Sequence, residues 1–307
     1  MTNAYDLITD QIVADIESGK ADSSEWVMPW HGNGGMPFSL STGKAYRGVN
    51  VIALWASAHR AGHTSPVWGT FKQWKAQGGM VRKGQKGTKV VFWKQIEISD
   101  TADDTGEASK FIPICKAYTV FNADQVDGAE DIVPGNDADS SEGADVIADV
   151  EAMITATGAD IRYNGEGTLH NRACYVPSTD TIYMPARESF TATEHSSATD
   201  NFYSTLFHEL AHWTGAEHRL DRKRGSKFGD TDYAFEELVA ELSAAFTCAA
   251  TGITSSPRPD HGQYIASWLK ALKSEKRFIF EAAKHAGKAT DWITGETVDT
   301  AKQSATA

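Results

Sequence analysis

The amino-acid sequence predicts an α+β chain of two domains: a small basic α/β domain, then a larger one in which short strands give way to helices. Three observations predict it. From Val27 to Ile96 there is no Asp or Glu, yet ten Lys and Arg fall in the same stretch, so this segment is +10 in a chain of net charge −12 and the remainder is −22. Residues 124–145 are acidic, rich in Asp, Ser and Gly, and contain Pro134-Gly135, the composition of a linker. Beyond them, short apolar runs precede long stretches with apolar residues at helical spacing, the order expected of an α+β unit. A length of 307 residues accommodates two domains. The expected boundaries are 1–125 for the first, 126–143 for the linker, 144–290 for the second and 291–307 for a tail.

Each element has its own signal. Leu7, Ile8, Ile12 and Ile16 share one face of a helix over 3–19, which Gly19 closes. Residues 26–48, rich in Gly, Pro and Trp, read as an ordered loop. Short helices follow over 50–61 and 69–77, each ended by Gly. Val90, Val91, Phe92 and Trp93 mark a strand over 88–96. Ile112, Ile114, Tyr118 and Val120 mark another over 111–121, with the polar stretch 99–110 as the loop of a hairpin. The second half opens with a helix near 144–157. Strands follow at 160–164, 172–176 and 181–184, then helices near 200–215, 233–251 and 261–286.

Composition excludes several classes. With 41% hydrophobic and 23% charged residues the chain is globular rather than disordered. No long uncharged apolar run suits a membrane span, so no membrane partner is expected. The first twenty residues lack the apolar region of a secretory signal. Cys115, Cys174 and Cys248 are odd in number and far apart, which fits neither a CxxC site nor a disulfide framework and points to a reducing cytoplasm.

Residues 208–212 read His-Glu-Leu-Ala-His within an apolar run that makes a buried helix. Positions i and i+4 share a helix face, so His208 and His212 can offer two imidazoles to one metal. Glu209 lies beside them, placed to take a proton from a water acidified by zinc to a pKa of about 7. This HExxH arrangement is a known zinc-protease signature. Two directions supply a third ligand. His218 completes the metzincin pattern HExxHxxGxxH, but that pattern needs a methionine downstream, and the last of the six methionines is Met184. Alternatively, in Tyr233-Ala-Phe-Glu236-Glu237-Leu-Val-Ala-Glu241, Glu237 ligates from a second helix in the gluzincin manner. Glu241 then orients a histidine from behind, and Glu236 is the fallback ligand. Zinc is the default occupant of such a set, with manganese or cobalt able to use the same ligands. Strand 181–184 can present an edge to an extended peptide, and Arg187 and Tyr183 are candidates to steady an oxyanion.

The acid-free segment interleaves cations with aromatic rings. Basic side chains track phosphates and aromatic faces stack bases, which is what sequence-tolerant binding of single-stranded DNA requires. The candidates are Lys44, Tyr46, Arg47, Trp68, Lys72, Trp74 and Lys75, together with the glycine-containing basic loop that carries Arg82, Lys83, Lys86 and Lys89. No zinc finger, RRM signature or helix-turn-helix marks duplex readout.

The runs Gly43-Lys-Ala-Tyr-Arg-Gly-Val-Asn50, Trp68-Gly-Thr-Phe-Lys-Gln-Trp74, Val81-Arg-Lys-Gly-Gln-Lys-Gly-Thr88 and Lys116-Ala-Tyr-Thr-Val-Phe-Asn122 resemble the N-terminal domain of the ArdC antirestriction family. Tyr175 to Phe190, Phe207 to Gly215 and Tyr233 to Leu242 resemble its second half, so the resemblance covers nearly the whole chain. It implies a plasmid- or phage-encoded protein in which a single-strand-binding domain joins a zincin-like, gluzincin-type metallopeptidase domain. It also implies protection of incoming DNA from restriction during conjugation. The resemblance favours Glu237 over His218. Conjugative primases of the TraC type carry a related N-terminal region. The implied partners are single-stranded DNA and a DNA-associated host protein as peptidase substrate. The competing readings are a protein that coats DNA around a structural metal site, and a primase accessory protein. Against the latter, no acidic polymerase-type constellation accompanies the basic segment.

Overall fold

A computed structural model describes residues 4–20, 35–98, 110–133, 143–165, 169, 171–193, 196–223, 231–253 and 262–296. Its architecture is α+β. The first half contains α1 (Ala4–Lys20), β1 (Phe38–Ser39), α2 (Val49–Ala61), β2 (Val67–Thr70), α3 (Phe71–Ala76), β3 (Met80–Val81), β4 (Thr88–Ile98), β5 (Lys110–Asn122) and β6 (Val126–Asp127). Strands β1, β2, β5 and β4 form one sheet in that order, and β3 pairs with β6. The long β4–β5 pair is antiparallel, with Val90 opposite Tyr118 and Phe92 opposite Lys116. The loop expected between these strands lies at 99–109, outside the described residues.

Strand β4 is an edge, so Val91 needs partners from elsewhere. Asn50 of α2 supplies both. Its side-chain amide donates to the Val91 carbonyl and its oxygen accepts the Val91 N–H, each at 2.7 Å. Helix α3 is set by a reciprocal capping box between Thr70 and Gln73. That cap turns Trp74 inward, where its indole N–H donates to the Phe121 carbonyl at 3.0 Å. Gly69 and Gly79 lie close against this ring, and a Cβ on either would sit within 3.4 Å of it.

The second half contains α4 (Gly143–Thr157), β7 (Asp160–Tyr163), β8 (Cys174–Val176), β9 (Thr181–Met184), α5 (Ala198–Thr214), α6 (Thr231–Thr251), α7 (Gly262–Ser274) and α8 (Phe278–Thr294). The sheet order is β7-β9-β8, with β7 parallel and β8 antiparallel to β9. Phe202, Phe207 and Leu210 of α5 pack with Ile182 and Met184 of β9 in one core.

Three expectations about organisation are corrected. The linker begins later than residue 126, because β6 pairs with β3 and Val126, Ala129, Ile132 and Val133 pack around Trp74. Its remaining residues, 134–142, lie outside the described set. The single helix expected over 261–286 is two, α7 and α8, turning at Glu275–Arg277 without Gly or Pro. Helix α8 also runs on into the expected tail, burying Ile293 before Gly295 ends it in the left-handed region at φ 71°.

The two halves share a core. Ile8 and Ile12 of α1, Val51 and Ile52 of α2 and Val90 of β4 are buried in one cluster with Leu238, Val239 and Leu242 of α6, Trp268 of α7 and Ile279 of α8. Trp55 packs on Phe246 with ring centroids 5.7 Å apart, and Arg47 reaches Asp291 of α8 at 2.5 Å. The Asn50 clamp is predicted to matter to this whole assembly. Asn50→Ala leaves a buried peptide group unsatisfied and lowers unfolding stability by about 1–3 kcal/mol, read as a lower urea midpoint at unchanged slope.

Candidate metal centre and nucleic-acid face

Helix α5 begins where Ser197 caps the Asp200 amide and Asp200 returns the bond. The helical period then buries Phe202, Tyr203, Leu206 and Phe207, and it brings His208 and His212 to the side facing α6, with Glu209 beside them against β8. The two Nε2 atoms lie 3.1 Å apart. Two imidazoles on a tetrahedral ion with bonds of about 2.0–2.1 Å require nearly this separation. From α6, Glu237 places its carboxylate oxygens 3.7 Å from His208 Nε2 and 3.5 Å from His212 Nε2. One donor atom from each of His208, His212 and Glu237 fits within a span of 4.8 Å. This buried, convergent set suits a divalent cation.

The nitrogens on the far sides of the rings meet carboxylates. His208 Nδ1 lies 3.4 Å from Glu241 and His212 Nδ1 lies 3.3 Å from Glu236, so a carboxylate stands behind each ring. Glu236 does not join the ligands, because Arg222 forks its two oxygens at 2.8 and 3.0 Å. Burial pushes the Glu236 carboxyl up, but the hydrogen bonds from His212 and Arg222 and the Arg222 charge outweigh it and hold it down at about 2. Burial likewise lowers His212, yet the Glu236 hydrogen bond and the charges of Glu237, Glu236 and Glu209 raise it on balance. The pocket therefore favours positive charge.

Glu209 is buried beside the pair, and its Oε2 accepts the Tyr175 N–H of edge strand β8 at 2.9 Å. His218 is removed from the centre. It is 64% exposed in its side chain and pairs with Asp180 at 3.4 Å, so the metzincin-like reading of the run is corrected. Arg187 is also spent elsewhere. Its guanidinium lies 4.4 Å over the Phe202 ring and bonds Glu151 and the Tyr203 hydroxyl. Tyr183 sits between Arg162 and Cys174 in the sheet register. Sequence reasoning missed Arg222 and the Tyr175 amide at the centre, and the Arg219–Asp180 pair that holds the β8–β9 turn beside it. The only signal was two arginines three residues apart just after the histidine helix.

In the basic half, Lys44, Lys72, Lys75, Lys83 and Lys86 are exposed. Arg82 is engaged with Asp127 and the Asp124 carbonyl, Lys89 with the Thr119 hydroxyl at 2.6 Å, and Arg47 with Asp291. The stacking roles expected of Tyr46, Trp68 and Trp74 are corrected. These rings are core, Trp68 at 1% and Trp74 at 0% exposure, and a ring without open face cannot receive a base. The open aromatic faces among the described residues include Phe71, Phe92 and Trp93 instead. Phe92 stands edge-on to Tyr118 at 5.5 Å.

An HExxH helix crossed by a second, glutamate-bearing helix beside a small mixed sheet defines a zincin-like metallopeptidase fold, here preceded by a basic α/β unit. Comparisons agree. Residues 148–285 match the family model for a zincin-like metallopeptidase, and residues 2–121 match that for the N-terminal domain of anti-restriction factor ArdC. The chain is similar to the metal-free crystal structure of the antirestriction ArdC protein from the R388 plasmid (41% identity, TM-score 0.73, 95% of this chain and 96% of that one). It is similar also to the Mn(II)-bound structure of that protein (39% identity, TM-score 0.71, 97% and 99%). An uncharacterized protein, y4eC, of Sinorhizobium fredii is 40% identical over 97% of this chain and 94% of its own length. The DNA primase TraC of Escherichia coli is 37% identical over 91% of this chain, which spans only 26% of that primase. The chain belongs to the ArdC antirestriction family. No helix among the described residues is long and apolar enough to cross a membrane.

Two outcomes follow from this geometry. Glu237→Ala is expected to weaken binding of a divalent metal by more than about 100-fold, beyond the usual cost of losing a residue behind the ligands, whereas His218→Ala leaves it unchanged in a chelator competition. The depressed Glu236 carboxyl gives a pH signature. Its stabilising contribution is present in full above its ordinary value of 4.5 and is lost as pH falls towards about 2. Acid unfolding curves of Glu236→Gln should lack that component.

Proposed function

We propose that the chain is a metal-dependent peptidase tethered to single-stranded DNA, which it binds without sequence preference through its basic half. In this reading it acts in the bacterial cytoplasm on a protein associated with incoming plasmid DNA, and so shields that DNA from restriction during conjugation. The observation that carries the reading is the convergence of His208, His212 and Glu237 with Glu209 alongside. Zinc is the expected occupant, with manganese or cobalt as alternatives, and the Mn(II)-bound relative shows that a family member takes such an ion. When bound, the ion supplies Lewis-acid polarisation of a scissile carbonyl and acidifies water.

The protein's own groups do the rest. Glu241 and Glu236 hold the imidazoles in place. The Tyr175 amide fixes the Glu209 carboxylate beside them, and burial of the site excludes bulk water. Glu209 takes a proton from the attacking water and delivers it to the departing amine as the C–N bond breaks. On the other half, exposed Lys44, Lys72, Lys75, Lys83 and Lys86 meet phosphates, while Phe71, Phe92 and Trp93 offer stacking faces.

The test is proteolysis of DNA-associated host proteins with added metal, wild type against Glu209→Gln. Loss of both cleavage and restriction protection in the variant supports the peptidase. Full protection by a variant that cleaves nothing overturns it in favour of DNA coating. For the basic half, titration with single-stranded and duplex oligonucleotides over a salt series is expected to show tighter, salt-sensitive binding of the single strand. Phe92→Ala should cost about 1–3 kcal/mol if it stacks a base. Equal affinity for duplex, or none at low salt, would sink that assignment.

A further inference from the structure

We infer that Arg222 is the positioning residue of the metal centre, acting through Glu236 on His212 and tying together the two helices that carry the ligands. The inference rests on the metal-binding reading above and adds a residue that no ligand motif contains. The Arg222 side chain is 2% exposed, yet nearly all its donors are used. Toward α6, Nε and one terminal nitrogen fork the Glu236 carboxylate at 3.0 and 2.8 Å. Toward α5, the guanidinium donates to the Ala211 carbonyl at 2.5 Å and to the Thr214 hydroxyl at 2.8 Å. Ala211 and Thr214 flank His212 in the last turn of α5. The same Glu236 oxygen that accepts from Arg222 at 2.8 Å lies 3.3 Å from His212 Nδ1. A planar fork therefore fixes the carboxylate, the carboxylate fixes the ring, and the ring presents Nε2 toward His208 and Glu237.

Gly215 gives an independent sign that this contact is built in. Its backbone sits at φ −77° and ψ −3°, a conformation open to any residue, so no turn demands glycine. A Cβ there would lie 2.9 Å from an Arg222 terminal nitrogen and 3.1 Å from both the guanidinium carbon and the His212 carbonyl oxygen. The glycine that makes the run resemble HExxHxxGxxH thus serves as clearance for Arg222. Arg219, three residues earlier and also buried, has a different task. It lies 3.8 Å over the Trp213 ring and binds the Trp213 carbonyl, Asp180 and the Tyr175 hydroxyl. It holds the β8–β9 turn and touches no ligand, which makes it a control of matched burial.

The test is chelator competition with Zn(II), Mn(II) and Co(II) on the full chain, with the Co(II) absorption spectrum recorded as a report of ligand geometry. Arg222→Met and Gly215→Ala are expected to weaken binding by about 10–100-fold and to shift the spectrum. Arg222→Lys is not expected to restore binding, because a point ammonium cannot fork both oxygens. Arg219→Met should bind as wild type. Wild-type affinity and spectrum in Arg222→Met, or an equal loss in Arg219→Met, overturns the inference. Should Arg222→Met fail to fold, Glu236→Gln keeps the shape of the site. A loss of about tenfold or more there supports the inference and wild-type binding overturns it. A wild-type chain that binds none of the three ions overturns the metal-binding reading itself, a result distinct from failure of the Arg222 inference.

Discussion

The structure turns on the crossing of α5 and α6. Each helix alone carries an incomplete site: two imidazoles on one, a carboxylate on the other. Only their packing brings His208, His212 and Glu237 to a common point. That crossing is locked by a buried ion pair, Arg222 with Glu236. Taking such charges out of water costs several kcal/mol per ion in general, and a pair of hydrophobic residues could pack here without that cost. The pair is explained by what it orients rather than by net stability. The pair's own contacts run from carboxylate to guanidinium, guanidinium to helix end and carboxylate to imidazole.

Helix α6 also connects the two halves. Its acidic residues Glu236, Glu237 and Glu241 face α5, while Leu238, Val239, Leu242 and Phe246 join the core that includes α1, α2 and β4. The basic half is therefore packed against the helix that carries Glu237 rather than hung from a tether. The two family regions remain distinct in sequence, but the burial that stabilises them is partly common. A small α/β unit with short β1, β3 and β6 strands gains from a core it does not have to build alone.

Much of the candidate centre was legible because it is local. His208, Glu209 and His212 lie within one helical turn and a half, so their shared face follows from periodicity. Glu237 and Glu241 were legible as a pair one turn apart, and the missing downstream methionine already weighed against the metzincin-like set. Arg222 and Arg219 were not legible. Their roles depend on where the chain goes after α5, and nothing about an arginine in sequence tells whether it points to water or to Glu236. The stacking residues fared worst. Trp74 sits between Lys72 and Lys75, which suggests an exposed ring. A capping box and two close glycines turn it into the core instead, and composition does not encode which face of a six-residue helix is covered.

The sequence alone determined the α+β class, the division of charge, most element positions and the identity of the HExxH helix. These follow from hydrophobic period, turn residues and local charge, which act between near neighbours along the chain. The tertiary structure alone decided which glutamate faces the imidazoles, that His218 lies apart from them, that Arg222 forks Glu236 behind His212, and that the halves share a core. Those outcomes depend on how helices far apart in sequence cross, and a crossing is chosen by the fit of all the buried side chains together.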